Sequence, residues 1–592
     1  MSEKKQPEQF QYNTVPTSDN TLHTLFIENK RLIVPVIFIP GVMGSNLKDT
    51  TNKLNPKIVW RLDDETSLLG WAAPFYGDAS ARKSELNPKK TMVDNRGNII
   101  EAFDAEVARI RKEYNPKISL YRRNHQYKEV MNIEKERNEK IKKAKENNPE
   151  NRLFGSRQAR GWGTVGYMSY GEFLDKLQNS LFAPNGQMPK VLQDLIKKEP
   201  MFKLDEGSKT SLKFKDEQIE HCNQFYFPVH AMGYNWLESN GTSANALKRL
   251  VEVTLPNYYK KRGQKCDKVI LITHSMGGLV ARYYTQAIGG SAKVYGVIHG
   301  VQPATGAVAA YTRMKRGTEV NSTKSTFINN VKNAVISAIT KNVLGKDAAE
   351  MTAVCAQSPG PLQLLPTPQY GKYWLTIKTP NGKKKSYPKS DPYEEIYLAK
   401  DNWWCACEPH LINPCNVLND KEQMSKDWQS YKDIINNHVK SFNQSIANKY
   451  HPNTYAFFGI DKDPDNIERT FLTYNSAFWR GKKVDKLNLI KIKLLHGSNN
   501  WFNRHIGDQK RLVLNELHGS RTLKSENGAE EYTLSSANGN GDGTVSQRSG
   551  QIPIEYLTAR MHFPVEHEPA YKSKISQDFT LRAIVDIMNK VK

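Results

Sequence analysis

Ser275 lies in the hexapeptide THSMGG, behind four β-favouring apolar residues, Val269 to Ile272, and ahead of a segment in which Leu279, Val280, Tyr283 and Tyr284 give an apolar helical face. A serine at such a strand-to-helix turn has its hydroxyl lifted clear of the sheet. There a histidine can take its proton, and the next backbone N–H can face a developing oxyanion. The alternative is a serine in a turn with no chemical role. Gly277 fits the second glycine of the pattern G-x-S-x-G, while Thr273 occupies the first, where a β-branched residue suits a strand end.

A nucleophilic serine needs a base, and the base needs a carboxylate that fixes its tautomer and stabilises the imidazolium. Downstream, GNGDGTVSQRS puts Asp542 between glycines that allow a tight turn, just before Thr544 and Val545, where a strand can begin. The alternative for Asp542 is an aspartate that caps its own turn. HFPVEHEPAY then offers His567 in an acidic, proline-bounded loop, with His562 as the competing base and a surface histidine as the plain alternative. The chain order Ser, Asp, His is that of the α/β-hydrolases. Their oxyanion hole also takes an amide from the loop after an early central strand, here PGVMGS. Gly41 permits close approach in that loop, so the Val42 amide is the first candidate and the Met43 amide the second; Met276, after the serine, supplies the other.

The elements that must hold these residues alternate as strand and helix. Val34 to Ile39, Phe225 to Gly233, the run before Ser275, Val294 to His299 and Thr454 to Ile460 read as strands, with Ser243 to Tyr259 a helix. That alternation gives a mostly parallel sheet covered by helices. Phe579 to Val591 reads as a C-terminal amphipathic helix. Phe327, Val331, Val335, Ala338, Ile339 and Val343 fall on one face of another, which packs on the core or forms a lid over an acyl pocket. A lysine- and glutamate-rich stretch, 106–152, reads as a solvated helical insertion, with a membrane role as the lesser alternative.

The 592 residues allow one large domain with insertions or several domains. Hydrophobic residues make up 38%, and no apolar run approaches bilayer-spanning length. The first residues, MSEKKQPEQFQYN, contain no signal-peptide h-region. Basic residues outnumber acidic ones 85 to 61, a formal charge of +24 that favours a polyanionic partner. No nucleic-acid-binding motif accompanies the charge, so an anionic lipid surface fits it better. Cys405, Cys407, His410 and Cys415 have metal-ligating side chains, but their spacing is not a common zinc pattern, and buried or disulfide-forming cysteines explain them more simply.

PGVMGSNL, RGWGTVGYMSYGEFL, FPVHAMGYNWLES, THSMGG, GDGTV and the late histidine, in this order, resemble lipases of the lecithin:cholesterol acyltransferase type. HGVQPATGAVAAYTRMKRG, the stretch from Gly345 to Trp374 and EHEPAY make the chain more similar still to lipase effectors of bacterial type VI secretion systems. The resemblance runs from about Leu32 to the C-terminus. It implies an α/β-hydrolase with helical insertions and a candidate lid, acting on glycerophospholipid esters with Ser275, Asp542 and His567 as its triad. No cofactor and no metal are expected. The expected organisation is a polar tail over 1–31 and one hydrolase domain over 32–592, with insertions at about 76–220, 311–450 and 475–535. The expected partners are a phospholipid surface, a cognate immunity protein and a secretion-spike protein, with no nucleic acid. Export without a cleaved signal peptide would carry the protein from the producer's cytoplasm to the periplasm or membrane of a target cell. The alternatives are an acyltransferase or lipid-anchor deacylase of the same fold, or a non-catalytic scaffold that docks a membrane or protein.

Overall fold

Two prolines set how the central sheet begins. In the computed structural model, Leu32–Ile33 pairs with Phe225–Tyr226, and Val36–Ile39 (β1) pairs with Val229–Ala231 (β2), both in parallel. Pro35 and Pro228 stand between these ladders and have no N–H to give. The continuous strands expected over 34–39 and 225–233 are therefore each interrupted. The proline carbonyls still serve the sheet: Pro228 accepts from Val36 N–H at 3.0 Å and Pro35 from Ile270 N–H at 2.9 Å.

The structure describes residues 31–591, apart from 53, 65–77, 184–187, 319–344, 417–419, 462–470, 485–503, 506–511, 514–518, 526–527 and 538. The helix expected around Phe327 to Val343 lies outside the described residues, as does nearly all of the N-terminal tail.

Val269–His274 (β3), Val294–Gly300 (β4), Thr454–Ile460 (β5) and Ala559–Pro564 (β6) complete a sheet of order β6-β5-β4-β3-β1-β2, with every neighbouring pair parallel. A parallel sheet is buried on both faces, which is why β1 and the first four residues of β3 are apolar without alternation and both strands are buried at every position. Side-chain alternation still sorts the two faces. Val36, Phe38, Ile270 and Ile272 pack with helices Tyr167–Leu181 (α1) and Lys574–Met588 (α4). Ile37, Ile39, Val269 and Leu271 pack with Asn240–Arg249 (α2) and Gly277–Gln286 (α3).

Two helices differ from expectation. The single helix expected over 243–259 is α2, a π-helical turn at Leu250–Thr254 and a further helix at Leu255–Lys260. Pro256, at the start of that last helix, cannot donate into the ladder. The C-terminal helix is not amphipathic, because its polar side is buried too. Arg582 is fully buried against Asp578 and donates to the carbonyls of Ile196 at 3.2 Å, Leu212 at 3.0 Å and Lys198 at 2.9 Å. The helix is thus a central element covered on all sides.

A second sheet has seven strands among the described residues, in the order Lys384–Tyr387, Leu375–Lys378, Ala477–Val484, Gly528–Leu534, Ser520–Ser525, Leu512–Val513, Arg504–His505. Its core gathers Tyr311, Trp374, Trp403, Trp479 and Tyr532. Beneath it Glu408 is shared by Lys315 and Arg521, all three buried. Near the other end of the sequence, Asp104–Arg123 and Tyr127–Asn147 form a helical hairpin around a small core of Ile110, Tyr114, Ile118 and Val130.

Candidate active site

Ser275 follows β3 with φ +51°, the left-handed region in which a non-glycine residue is strained. The surroundings hold it there. Its N–H donates to the Gly300 carbonyl at 2.9 Å, and its carbonyl accepts from Gly278 N–H at 3.0 Å as α3 begins. The glycines after it are required by packing. A Cβ on Gly277 would come within 2.5 Å of the Ile39 and Pro40 carbonyl oxygens, and one on Gly278 within 2.5 Å of the Gln302 amide. Thr273, at the position where G-x-S-x-G has its first glycine, is accommodated because its hydroxyl meets His299 Nδ1 at 2.8 Å.

Asp542 is fixed by its own turn. One carboxylate oxygen accepts from Thr544 N–H at 2.9 Å and Val545 N–H at 2.7 Å, and Gly543 takes φ +90° between them. No strand begins at Thr544; a short helix, Gln547–Gly550, follows instead. A Cβ on Gly459, in β5, would stand 2.5 Å from Asp542 Cβ, so a glycine there lets the loop lie against the strand. Asp542 therefore does cap its turn, with one oxygen, and it also reaches further with the other. That second oxygen meets His567 Nδ1 at 2.7 Å, and His567 N–H donates to the Asp542 carbonyl at 2.9 Å.

His567 Nε2 lies 2.9 Å from Ser275 Oγ. The carboxylate accepts, so Nδ1 carries the proton and Nε2 is left to accept from the serine hydroxyl. Ser275 and Asp542 are buried, and the His567 side chain is 12% exposed. The structure thus brings together Ser275, Asp542 and His567. His562 is elsewhere: its side chain is 48% exposed and its Nδ1 meets Asp205 at 2.6 Å.

The loop after β1 comes up against the serine. A Cβ on Gly41 would lie 3.0 Å from Ser275 Cβ and 2.9 Å from His274 Nδ1, so only glycine permits this approach. Val42 follows it, and Met43 takes φ +63° within a turn closed by Gly44 N–H to the Gly41 carbonyl at 3.0 Å. Met276 caps the N-terminus of α3, where orphan amides point outward.

Two residues of this neighbourhood were not singled out from the sequence. His274 precedes the serine, and its ring contacts the Tyr170 hydroxyl at 2.8 Å and the His567 carbonyl at 2.9 Å. Burial lowers His274 to about 3, with the nearby His567 the next cause, and burial also lowers His299 to about 3. The available signal was positional: His274 sits inside THSMG, and Tyr170 inside GYMSYGEFL.

Cys405 and Cys407 are buried, and burial pushes both thiols up, Cys405 to about 12. Cys405 donates to the Cys407 carbonyl, and Cys415 is exposed beside Ser80. Among the described residues no group of three or more His, Cys, Asp or Glu side chains could hold a metal ion. No helix among them is long and apolar enough to cross a membrane.

A parallel sheet with helices on both faces and a strained serine at the strand-to-helix turn defines an α/β-hydrolase fold. Within that class the lecithin:cholesterol acyltransferase family matches residues 219–460, a span that includes Ser275 and ends with β5. The crystal structure of the Tle4-Tli4 complex is similar along almost the whole chain, with 26% identity, a TM-score of 0.63, and coverage of 94% of this chain and 99% of that one. No curated protein matches the sequence. The chain thus carries a lecithin:cholesterol acyltransferase-like domain on an α/β-hydrolase fold and is similar in structure to the Tle4-Tli4 complex, in accord with the resemblance expected from its motifs.

Proposed function

We propose that the protein is a serine hydrolase that cleaves ester bonds of membrane glycerophospholipids and serves as an antibacterial type VI secretion effector. The observation that carries the chemistry is the continuous contact from Asp542 through His567 to Ser275 Oγ, at 2.7 and 2.9 Å. In the reaction, Ser275 Oγ attacks the ester carbonyl carbon while His567 Nε2 takes its proton and Asp542 stabilises the imidazolium. The Met276 amide and the Val42 or Met43 amide receive the oxyanion. Collapse expels the alcohol with the proton from His567. Water, activated by the same base, then frees the fatty acid and restores the serine.

The net charge of +24 supports a negatively charged lipid surface as the place of action. The paired partner in the Tle4-Tli4 complex supports a cognate binding protein for this chain as well. Delivery by a secretion spike to a target cell's periplasm or membrane completes the proposal. The family match also favours a second outcome of the same acyl-enzyme, transfer to an alcohol instead of water.

Mass-spectrometric profiling of phospholipids incubated with purified protein and with Ser275→Ala tests both. Free fatty acid and lysophospholipid produced only by the wild type supports hydrolysis, and a new ester formed with an added alcohol supports transfer. No lipid change with the wild type refutes the proposal.

A further inference from the structure

His274 stands one residue ahead of Ser275, 3% exposed, and both of its ring nitrogens are engaged. Nε2 is 2.9 Å from the backbone oxygen of His567. A carbonyl only accepts, so Nε2 carries the proton and Nδ1 is an acceptor. The Tyr170 hydroxyl, 2.8 Å from Nδ1, must then donate to it, and the Tyr170 oxygen accepts from Gly41 N–H at 3.3 Å. Next to Tyr170, the Ser169 hydroxyl donates to Glu568 at 2.5 Å. The first turn of α1 therefore reaches both the loop that abuts Ser275 and the loop that carries His567.

The donor directions leave no ambiguity along this path. They run from Gly41 N–H to the Tyr170 oxygen and from the Tyr170 hydroxyl to His274 Nδ1; at the other nitrogen, His274 Nε2–H points to the His567 carbonyl. The path works only with a neutral His274, since a protonated ring has no acceptor for Tyr170 and sets a second cation beside His567. Burial provides that neutrality, and it holds the Tyr170 phenol protonated as well.

We propose that Tyr170 and His274 are positioning residues for the chemistry at Ser275, a hydrogen-bonded strut that fixes the His567 loop and the Gly41 loop relative to one serine oxygen. The inference rests on Ser275, His567 and Asp542 being the reactive unit. Neither strut residue contacts the reacting atoms. Its effect comes through alignment, where a displacement of about 1 Å can cost roughly 100-fold in rate. Tyr170→Phe isolates the hydroxyl, because the ring keeps its packing on Phe38 at 4.9 Å between centroids.

The test compares wild type, Tyr170→Phe, His274→Leu, His274→Gln and the double variant Tyr170→Phe/His274→Leu. The readouts are the rate of fluorophosphonate labelling, kcat and KM on a soluble short-chain ester, and the melting temperature. Tyr170→Phe and His274→Leu are expected to label and turn over about 10- to 100-fold more slowly with KM within about twofold. The double variant should be no slower than the worse single one, as for residues acting as one unit. His274→Gln, whose amide keeps a donating nitrogen and an accepting oxygen, should recover most of the rate. Wild-type kcat in Tyr170→Phe overturns the strut, as do additive losses in the double variant, no rescue by glutamine, or losses that only follow a fall in melting temperature. A wild type that takes up no fluorophosphonate refutes the hydrolase reading and the strut with it, so the two failures are told apart by the wild-type sample.

Discussion

Around Ser275 and along the 104–147 hairpin, polar side chains are held in opposite ways. At the serine, His567 is fixed by four contacts: ring nitrogens to Asp542 and Ser275, backbone N–H to the Asp542 carbonyl, and backbone oxygen to His274. The hairpin carries thirteen basic and eight acidic residues, and its ion pairs lie at the surface. Lys140 and Glu113, for example, are 3.8 Å apart with side chains 47% and 44% exposed. Over-determined contacts fix positions to fractions of an ångström, whereas exposed pairs contribute little and are screened by salt. The first region is built for geometry and the second for charge, so substitutions should act very differently in the two.

Asp542→Asn and His567→Ala should show the largest effects, each lowering kcat roughly 10⁴-fold, with little further loss when combined with Ser275→Ala. An active His567→Ala beside a dead His562→Ala would move the base to the exposed histidine. Gly277→Ala comes next. Its Cβ would meet two backbone carbonyls that cannot rotate away, so a loss of about 1–3 kcal/mol of stability is expected together with reduced turnover. Unchanged thermal melting and activity in this variant would show that the serine turn is not crowded as described.

The pH dependence is smaller and has a definite sign. His274 and His299 are neutral in the fold, held down to about 3, and would take up protons near 6.5 once unfolded. Their contribution to stability is complete above pH 6.5 and is lost as pH falls from there toward 3. Each steepens the decline by up to about 1.4 kcal/mol per pH unit. His299→Gln should flatten the fall in Tm between pH 6.5 and 4; an equal slope in the variant would exclude His299 as a source.

Smallest of all is the hairpin. Lys140→Ala should leave Tm and turnover of a soluble ester unchanged. Replacing several of the basic residues between 109 and 145 by glutamine should weaken binding to anionic vesicles, more at low salt than at high. Vesicle binding indifferent to both salt and these residues would assign the charge another use.

The strands around the site could be read from sequence because a parallel sheet writes itself as apolar runs: VILITH and TYAFFGI are buried throughout. Ser275, Asp542 and His567 could be picked out because each lies in a short segment whose local conformation aims it. The breaks at Pro35 and Pro228 were legible in principle, since a proline interrupts a ladder wherever its N–H was due. The burial of Arg582 was not, because besides Asp578 one turn before it, its partners are backbone carbonyls almost four hundred residues earlier. Tyr170 and His274 were missed for the same reason: their role lies in a path from Gly41 to His567 that exists only after folding. His274 by itself reads as one more residue of a strand end.

The central claim is that Asp542, His567 and Ser275 act as one nucleophilic unit, and covalent labelling tests it most directly. Fluorophosphonate-treated wild type, Ser275→Ala and Asp542→Asn would be digested and the adduct located by peptide mass spectrometry. The account expects a single adduct on Ser275 in the wild type, none in Ser275→Ala, and labelling slowed by orders of magnitude in Asp542→Asn. An adduct on another residue, or equal labelling rates in wild type and Asp542→Asn, would contradict it.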